Sequence, residues 1–218
     1  MNLRVWRAGT VCVVAVLAGM AAPGADQPPP AGTPLFNGVD FTGWKLFLPD
    51  KGADPFNTWS VRDGVIRCTG SPAGYLRTNE IFGDYELTVE WRWPGSSGGS
   101  SGVLLHVQEG DMVWPKSIEA QLQHGSAGDI WVIGGTDFRE HTNKDDRRVA
   151  KMESSSEKPL GDWNRYRIVC RGDLMELYVN GVLQNRATGC TVTRGCIALQ
   201  SEGTPIEFRN IILRPLED

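Results

Sequence analysis

Apolar and polar residues alternate over short stretches along much of this chain. In residues 85–93, Tyr85, Leu87, Val89, Trp91 and Trp93 fall on one side of an extended backbone, and Glu86, Thr88, Glu90 and Arg92 on the other. A period of two is what a strand with one buried face requires. Residues 117–123 repeat it, setting Ile118, Ala120 and Leu122 against Ser117, Glu119, Gln121 and Gln123. Residues 102–108 form a more apolar strand after a Gly/Ser turn. Residues 59–61 and 65–67 flank Asp63-Gly64, a two-residue turn that predicts a hairpin. Residues 165–170, 174–180 and 182–186 read as a three-strand meander, turning at Arg171-Gly172-Asp173 and Asn180-Gly181, and residues 196–200 and 206–212 close the domain. Many strands at short spacing without intervening helices predict an all-β fold, a sandwich or barrel. In a curved sandwich one sheet keeps an outer face open to solvent, and a carbohydrate groove needs that face lined with hydrogen-bonding and aromatic groups.

The start of the chain has a different character. Arg4 and Arg7 precede an apolar run from Thr10 to Ala22, too short for the roughly 20 residues that span a bilayer, and small residues follow at Gly19 and Ala21. These are the parts of a secretory signal. We therefore expect a signal peptide over 1–21, a Pro-rich linker over 22–33, a single β-sandwich domain over 34–218, and a periplasmic or secreted location. No transmembrane segment remains after signal removal. Without residues 1–21 the 22 basic residues fall to 20 against 26 acidic ones, a balance of −6. With no Lys/Arg run, the electrostatic footprint of a nucleic-acid partner is missing. Cys68, Cys170, Cys190 and Cys196 are an even number in an exported chain and permit two disulfides. Cys190 with Cys196 and Cys68 with Cys170 is one of three possible connectivities.

The densest candidate chemistry lies on the polar side of 117–123. Glu119, Gln121 and Gln123 stand in a row, neighbours roughly 7 Å apart. One carboxylate beside two amides suits hydrogen bonding to vicinal hydroxyls or partial ligation of a hard divalent metal ion, with Glu119 as the ligand. It does not suit ordinary glycoside hydrolysis, which uses two carboxyl groups. Other polar rows could converge on this strand: Glu90 with Arg92, Gln200 with Glu202, and Glu207 with Arg209. By alternation His106 shares a face with Gly102, Leu104 and Gln108, and it interrupts an apolar run, so its imidazole needs a partner or a groove; it is a candidate base. His124 is another, at the strand end. Trp114 and Trp131 flank the Glu119 strand and could stack on a sugar ring. No phosphate loop, nucleophile elbow or dinucleotide fingerprint is present, and no organic cofactor is expected.

Several segments in order carry a resemblance. Leu35-Phe36-Asn37-Gly38 with Phe41-Thr42-Gly43-Trp44, Ile118-Glu119-Ala120-Gln121, Gly161-Asp162-Trp163-Asn164, Val179-Asn180-Gly181 and Leu199-Gln200-Ser201-Glu202-Gly203 with Phe208-Arg209-Asn210-Ile211 are similar to the 3-keto-disaccharide hydrolase family. The resemblance implies a concanavalin-like jelly-roll sandwich of two antiparallel sheets, and activity on oligosaccharides or glycosides whose C3 hydroxyl has been oxidised. A partner sugar oxidoreductase would make that ketone. Because the ketone acidifies the C2 proton, one base can start β-elimination and water addition can complete net hydrolysis. On this reading His106 and Glu119 are catalytic, and Gln121, Gln200, Glu202, Arg92, Trp114, Trp131 and His124 bind substrate. Two alternatives stand beside it. One is a non-catalytic glycan-binding module. The other is a laminarinase-type endoglycosidase, which needs a second carboxylate from Glu90, Glu202 or Glu207.

Overall fold

The alternating segments fold as strands of two antiparallel sheets in the computed structural model, which describes residues 31–217. The segments expected to be a signal peptide and most of the expected linker lie outside the described residues. The strands are β1 (Thr33–Pro34), β2 (Trp44–Phe47), β3 (Trp59–Arg62), β4 (Val65–Cys68), β5 (Gly74–Thr78), β6 (Tyr85–Arg92), β7 (Gly102–Val107), β8 (Ser117–Gln121), β9 (Ile130–Ile133), β10 (Arg148–Val149), β11 (Asn164–Arg171), β12 (Leu174–Val179), β13 (Val182–Ala187), β14 (Cys196–Ser201) and β15 (Ile206–Pro215). One sheet runs β13-β12-β11-β6-β15-β4-β3, with β1 also on β15; the other runs β10-β9-β8-β7-β14-β5-β2. A single 3-10 turn, Pro55–Asn57, is the one helical element among the described residues. No helix among them is long and apolar enough to cross a membrane.

The core lies between the sheets and follows the predicted alternation. Tyr85, Leu87, Val89, Trp91 and Trp93 pack from the eight-stranded sheet against Val103, Leu105, Ile118, Ala120 and Leu199 from the seven-stranded one. The turn Asp63-Gly64 has positive φ at both residues, as does Asn180-Gly181, and this is the geometry that closes a two-residue hairpin with the right twist. Thr33 already pairs with Leu213, so ordered structure reaches into the segment read as linker.

Two expectations fail for reasons of geometry. The four cysteines of the described residues are all free and buried. Cys68 and Cys170 sit on strands separated by β6 and β15. Three strand spacings make about 14 Å, twice the reach of a disulfide. Cys190 belongs to the core between the sheets, whereas Cys196 packs with Leu104 and Tyr75 on the other side of the seven-stranded sheet. The second failure is His106. It has φ +52, and the β7–β14 register shifts beside it. This bulge inserts an extra residue and reverses the side to which the strand end points. The imidazole therefore turns inward, packing edge-on at 5.6 Å from the Tyr85 ring, with Nδ1 3.2 Å from the Val192 carbonyl.

Candidate functional site

Strands β7, β8, β9 and β14 present their polar residues on the outer face of the seven-stranded sheet. Glu119 on β8 pairs with Leu104 of β7 and Trp131 of β9, and Gly102 pairs with Gln121. Glu119 and Gln121 are only 5% and 4% exposed, yet both line a cavity of about 340 Å³. Its remaining walls are Ser100, Trp114, Gln123, Trp131, Ile133, Arg147 and Glu202. A hollow of this size falls at the small end of ligand pockets.

Gly102 makes room for the acid. A Cβ at that position would stand 2.3 Å from Glu119 Oε1 and 2.7 Å from Gln200 Oε1, so the absence of a side chain lets the carboxyl and the amide lie over β7. Glu119 Oε1 and the Gln200 amide are buried beside one another over Gly102, close enough for the amide to act on the carboxyl. Gln121 is fixed the other way. Its Oε1 accepts from the backbone N–H groups of Leu122 and Gln123, each at 2.8 Å, which leaves its NH₂ as the end free to donate. Ser100 Oγ donates to Glu202 Oε2 at 2.7 Å. Burial, with Glu202 nearby adding repulsion, pushes the Glu119 carboxyl up to about 8, against smaller opposing effects of Gln200 and Arg147. A carboxyl with this value exchanges protons near neutrality, which suits a general acid or base. Trp131 and the half-exposed Trp114 supply flat apolar walls, and the Arg147 guanidinium lies 5.5 Å from the Trp131 ring.

Not every residue expected at the site is there. Arg92 belongs to the opposite sheet, where Nε donates to Glu207 Oε2 at 2.7 Å and the guanidinium stacks over Trp163. Its alternation holds, but alternation does not say which sheet a strand joins. His124 sits in an exposed loop with Nδ1 3.3 Å from Glu157 Oε2, outside the cavity wall. His106 is between the sheets. Of the acids considered as a second carboxylate, Glu90 and Glu207 are tied to arginines of the eight-stranded sheet, and Glu202 alone lines the cavity. Arg147 and Ser100 are wall residues that the sequence does not single out. Arg147 adjoins β10, whose two residues pair with Trp131 and Ile130, and a strand that short leaves no alternation to read.

The wall does not complete a protein-only metal site. Among the described residues no group of three or more His, Cys, Asp or Glu side chains converges, and Glu119 shares the wall with one further carboxylate, Glu202, and the Arg147 guanidinium. Six or more oxygen donors would be needed for a calcium cage.

Comparison with known proteins agrees with this architecture. A candidate glycosyl hydrolase from Parabacteroides distasonis is 23% identical with a TM-score of 0.64, over 85% of this chain and 94% of that one. The carbohydrate-binding module CBM66 from Bacillus subtilis is 12% identical with a TM-score of 0.58, over 79% and 95%. The Bacillus licheniformis β-glucanase is 16% identical with a TM-score of 0.54, over 84% and 96%. These likenesses establish the concanavalin-like sandwich. No curated protein sequence matches the chain. The model of the 3-keto-alpha-glucoside-1,2-lyase-like domain matches residues 31–214, nearly everything the structure describes, and the chain belongs to that family.

Proposed function

We propose that the protein is an exported enzyme that cleaves 3-keto-glycosides, with Glu119 as the base that removes the C2 proton. The observation that carries this reading is the buried Glu119 carboxyl, pushed up to about 8, on the floor of a cavity walled by amides, tryptophans and one arginine. The family matched by the chain and the carbohydrate-related fold support the same class of substrate.

The steps balance without a redox co-reactant. Glu119 as carboxylate takes the proton from C2, and the C–H electron pair moves into the C3 carbonyl to give an enolate. The Arg147 guanidinium, the Gln121 NH₂ and the Gln200 amide offer donors for the enolate oxygen and neighbouring hydroxyls. When the ketone re-forms, the pair shifts to C1=C2 and the C1–O bond breaks. The proton that Glu119 took from C2 passes to the leaving oxygen, which returns Glu119 to the carboxylate. Water then adds across C1=C2, hydroxyl to C1 and proton to C2, releasing the 3-keto sugar. The substrate must come from a reaction that oxidises a glycoside at C3, so an oxidoreductase of that class acts upstream.

Incubation with 3-keto-α- and 3-keto-β-glucosides tests the reading. Aglycone release from the keto substrates but not from the parent glucosides is expected, falling about 10²-fold or more in Glu119→Gln. No release from either anomer overturns the proposal. A second reading rests on Glu119 and Glu202 lining one cavity, since two carboxyls are what a laminarinase-type hydrolase requires; turnover of unoxidised β-glucan would favour it. Tight binding without turnover, dominated by Trp114 and Trp131, would mark a glycan-binding module instead.

A further inference from the structure

Arg147 reaches the cavity wall at the end of residues 134–147, the connection between β9 and β10. The first half of this connection is tied to its surroundings. Thr136 Oγ1 donates to the Ser117 carbonyl at 2.8 Å and accepts from the Ile133 N–H at 3.1 Å. The Asp137 backbone makes two hydrogen bonds of 2.9 Å to Thr191. The second half, residues 142–146, is exposed.

His141 joins the two halves. It is 5% exposed although it lies in a run of charged residues. Its Nε2 stands 2.7 Å from the Asp146 carbonyl, and its Nδ1 2.8 Å from Asp137 Oδ1. A carbonyl can only accept, so Nε2 carries the proton of the first bond. Lys144 Nζ binds both oxygens of the same Asp137 carboxylate, at 2.7 and 2.6 Å, and the Phe138 ring lies 5.9 Å from the imidazole. One buried ring therefore ties the anchored start to the peptide plane that leads into Arg147. On the far side, the Arg147 carbonyl accepts from the Val132 N–H at 3.0 Å, and Arg148 Nε donates to the buried Asp129 Oδ2 at 2.6 Å. Among the described residues Arg147 forms no ion pair with an acid; its guanidinium lies over the Trp131 ring. Its position in the wall thus depends on that ring and on the backbone beneath it.

We infer that His141 is a positioning residue for Arg147, a clasp on the 134–147 connection that keeps the guanidinium at the Glu119 cavity. A displacement of about 1 Å in a group that meets the reacting atoms costs on the order of tenfold or more in rate. The part of His141 in turnover rests on the catalytic reading of Glu119; its part in the field at Glu119 does not. Arg147 is one of the groups that oppose the upward push of burial on the Glu119 carboxyl. A guanidinium that drifts away leaves that carboxyl easier to protonate.

Carbon-13 NMR titration of the Glu119 carboxyl, beside turnover of a 3-keto-glucoside, tests the inference. His141→Phe keeps a ring next to Phe138 and removes both ring nitrogens. Its Glu119 midpoint should rise by about half a pH unit, and kcat should fall about tenfold. In an Arg147→Gln background the same change should alter either readout by less than about twofold, because the group being positioned is gone. Asp137→Asn loosens the clasp from its 40% exposed side and should also raise the midpoint, so it decides the matter should His141→Phe not fold. A wild-type midpoint in folded His141→Phe, or in Asp137→Asn where the Phe variant does not fold, would overturn the inference. So would a raised midpoint with wild-type kcat, or effects of His141→Phe and Arg147→Gln that add in full. If the wild-type protein releases no aglycone, the catalytic reading fails, and the NMR titration by itself still decides the place of His141.

Discussion

Glu119 and Gly102 are one unit. The carboxyl occupies the space a side chain on β7 would fill, so Gly102→Ala must displace either Glu119 or Gln200. Gly102 does not have the positive φ found at turn glycines, so alanine fits its backbone and the fold should survive. Turnover should fall on the order of 10²-fold, the cost of moving a reacting group by about 1 Å, and wild-type rates in Gly102→Ala would show that the carboxyl needs no such seat. Protonation gives a second test at this scale. The unfolded chain releases the Glu119 proton near pH 4.5, the folded one only near pH 8. Between these values the folded state binds more protons, so stability falls as pH rises, by on the order of a few kcal/mol in total. Glu119→Gln lacks this loss. Urea unfolding should find the variant gaining on wild type from pH 5 to pH 8; a constant difference would mean the carboxyl is not buried in its acid form. The Glu119 row is legible in the sequence because β8 is regular over five residues, and period two is reliable where nothing interrupts it.

At the scale of the element, the bulge in β7 decides what the alternation could not. Counting aligns His106 with Gly102 and Leu104, but one extra residue at φ +52 turns it between the sheets. Burial holds its imidazole below the ordinary histidine range, against smaller opposing effects of the Val192 and Gly83 backbone. A residue packed this way matters for stability, not for turnover. Asn tolerates the left-handed backbone, so His106→Asn should cost about 1–3 kcal/mol in chemical denaturation and leave kcat within about threefold. A loss of turnover comparable to that of Glu119→Gln would return the base to His106. The sheet assignments are equally hidden. The rows of Glu90 with Arg92 and of Glu119 with Gln121 look alike in sequence, but β6 sits between β11 and β15, and β8 between β7 and β9. Those pairings join residues far apart in the chain, which local periodicity cannot encode.

At the scale of the molecule, two sheets back to back give one chain two unlike outer faces, one with a carboxyl-floored cavity and one with arginine–glutamate ion pairs, divided by an apolar core. That core includes Cys68, Cys170 and Cys190, while Cys196 is buried beneath the cavity-side face. With no crosslink among the described residues, stability comes from burial of the tryptophans and aliphatic residues, and thermal melts with and without reductant should superimpose. A drop in melting temperature on reduction would reveal a bridge. The all-β class and most long strands can be read from alternation, whereas the disulfide expectation relies on cysteine number alone and ignores how many strands intervene.

The central claim is that Glu119 takes the proton from C2. Running the reaction in deuterium oxide with a 3-keto-glucoside and following the C2 position by NMR examines that step alone. Recovered sugar should carry deuterium at C2 with the wild-type protein and none above the uncatalysed background with Glu119→Gln. Bond cleavage that leaves the original hydrogen on C2, or exchange that persists undiminished in Glu119→Gln, would contradict it.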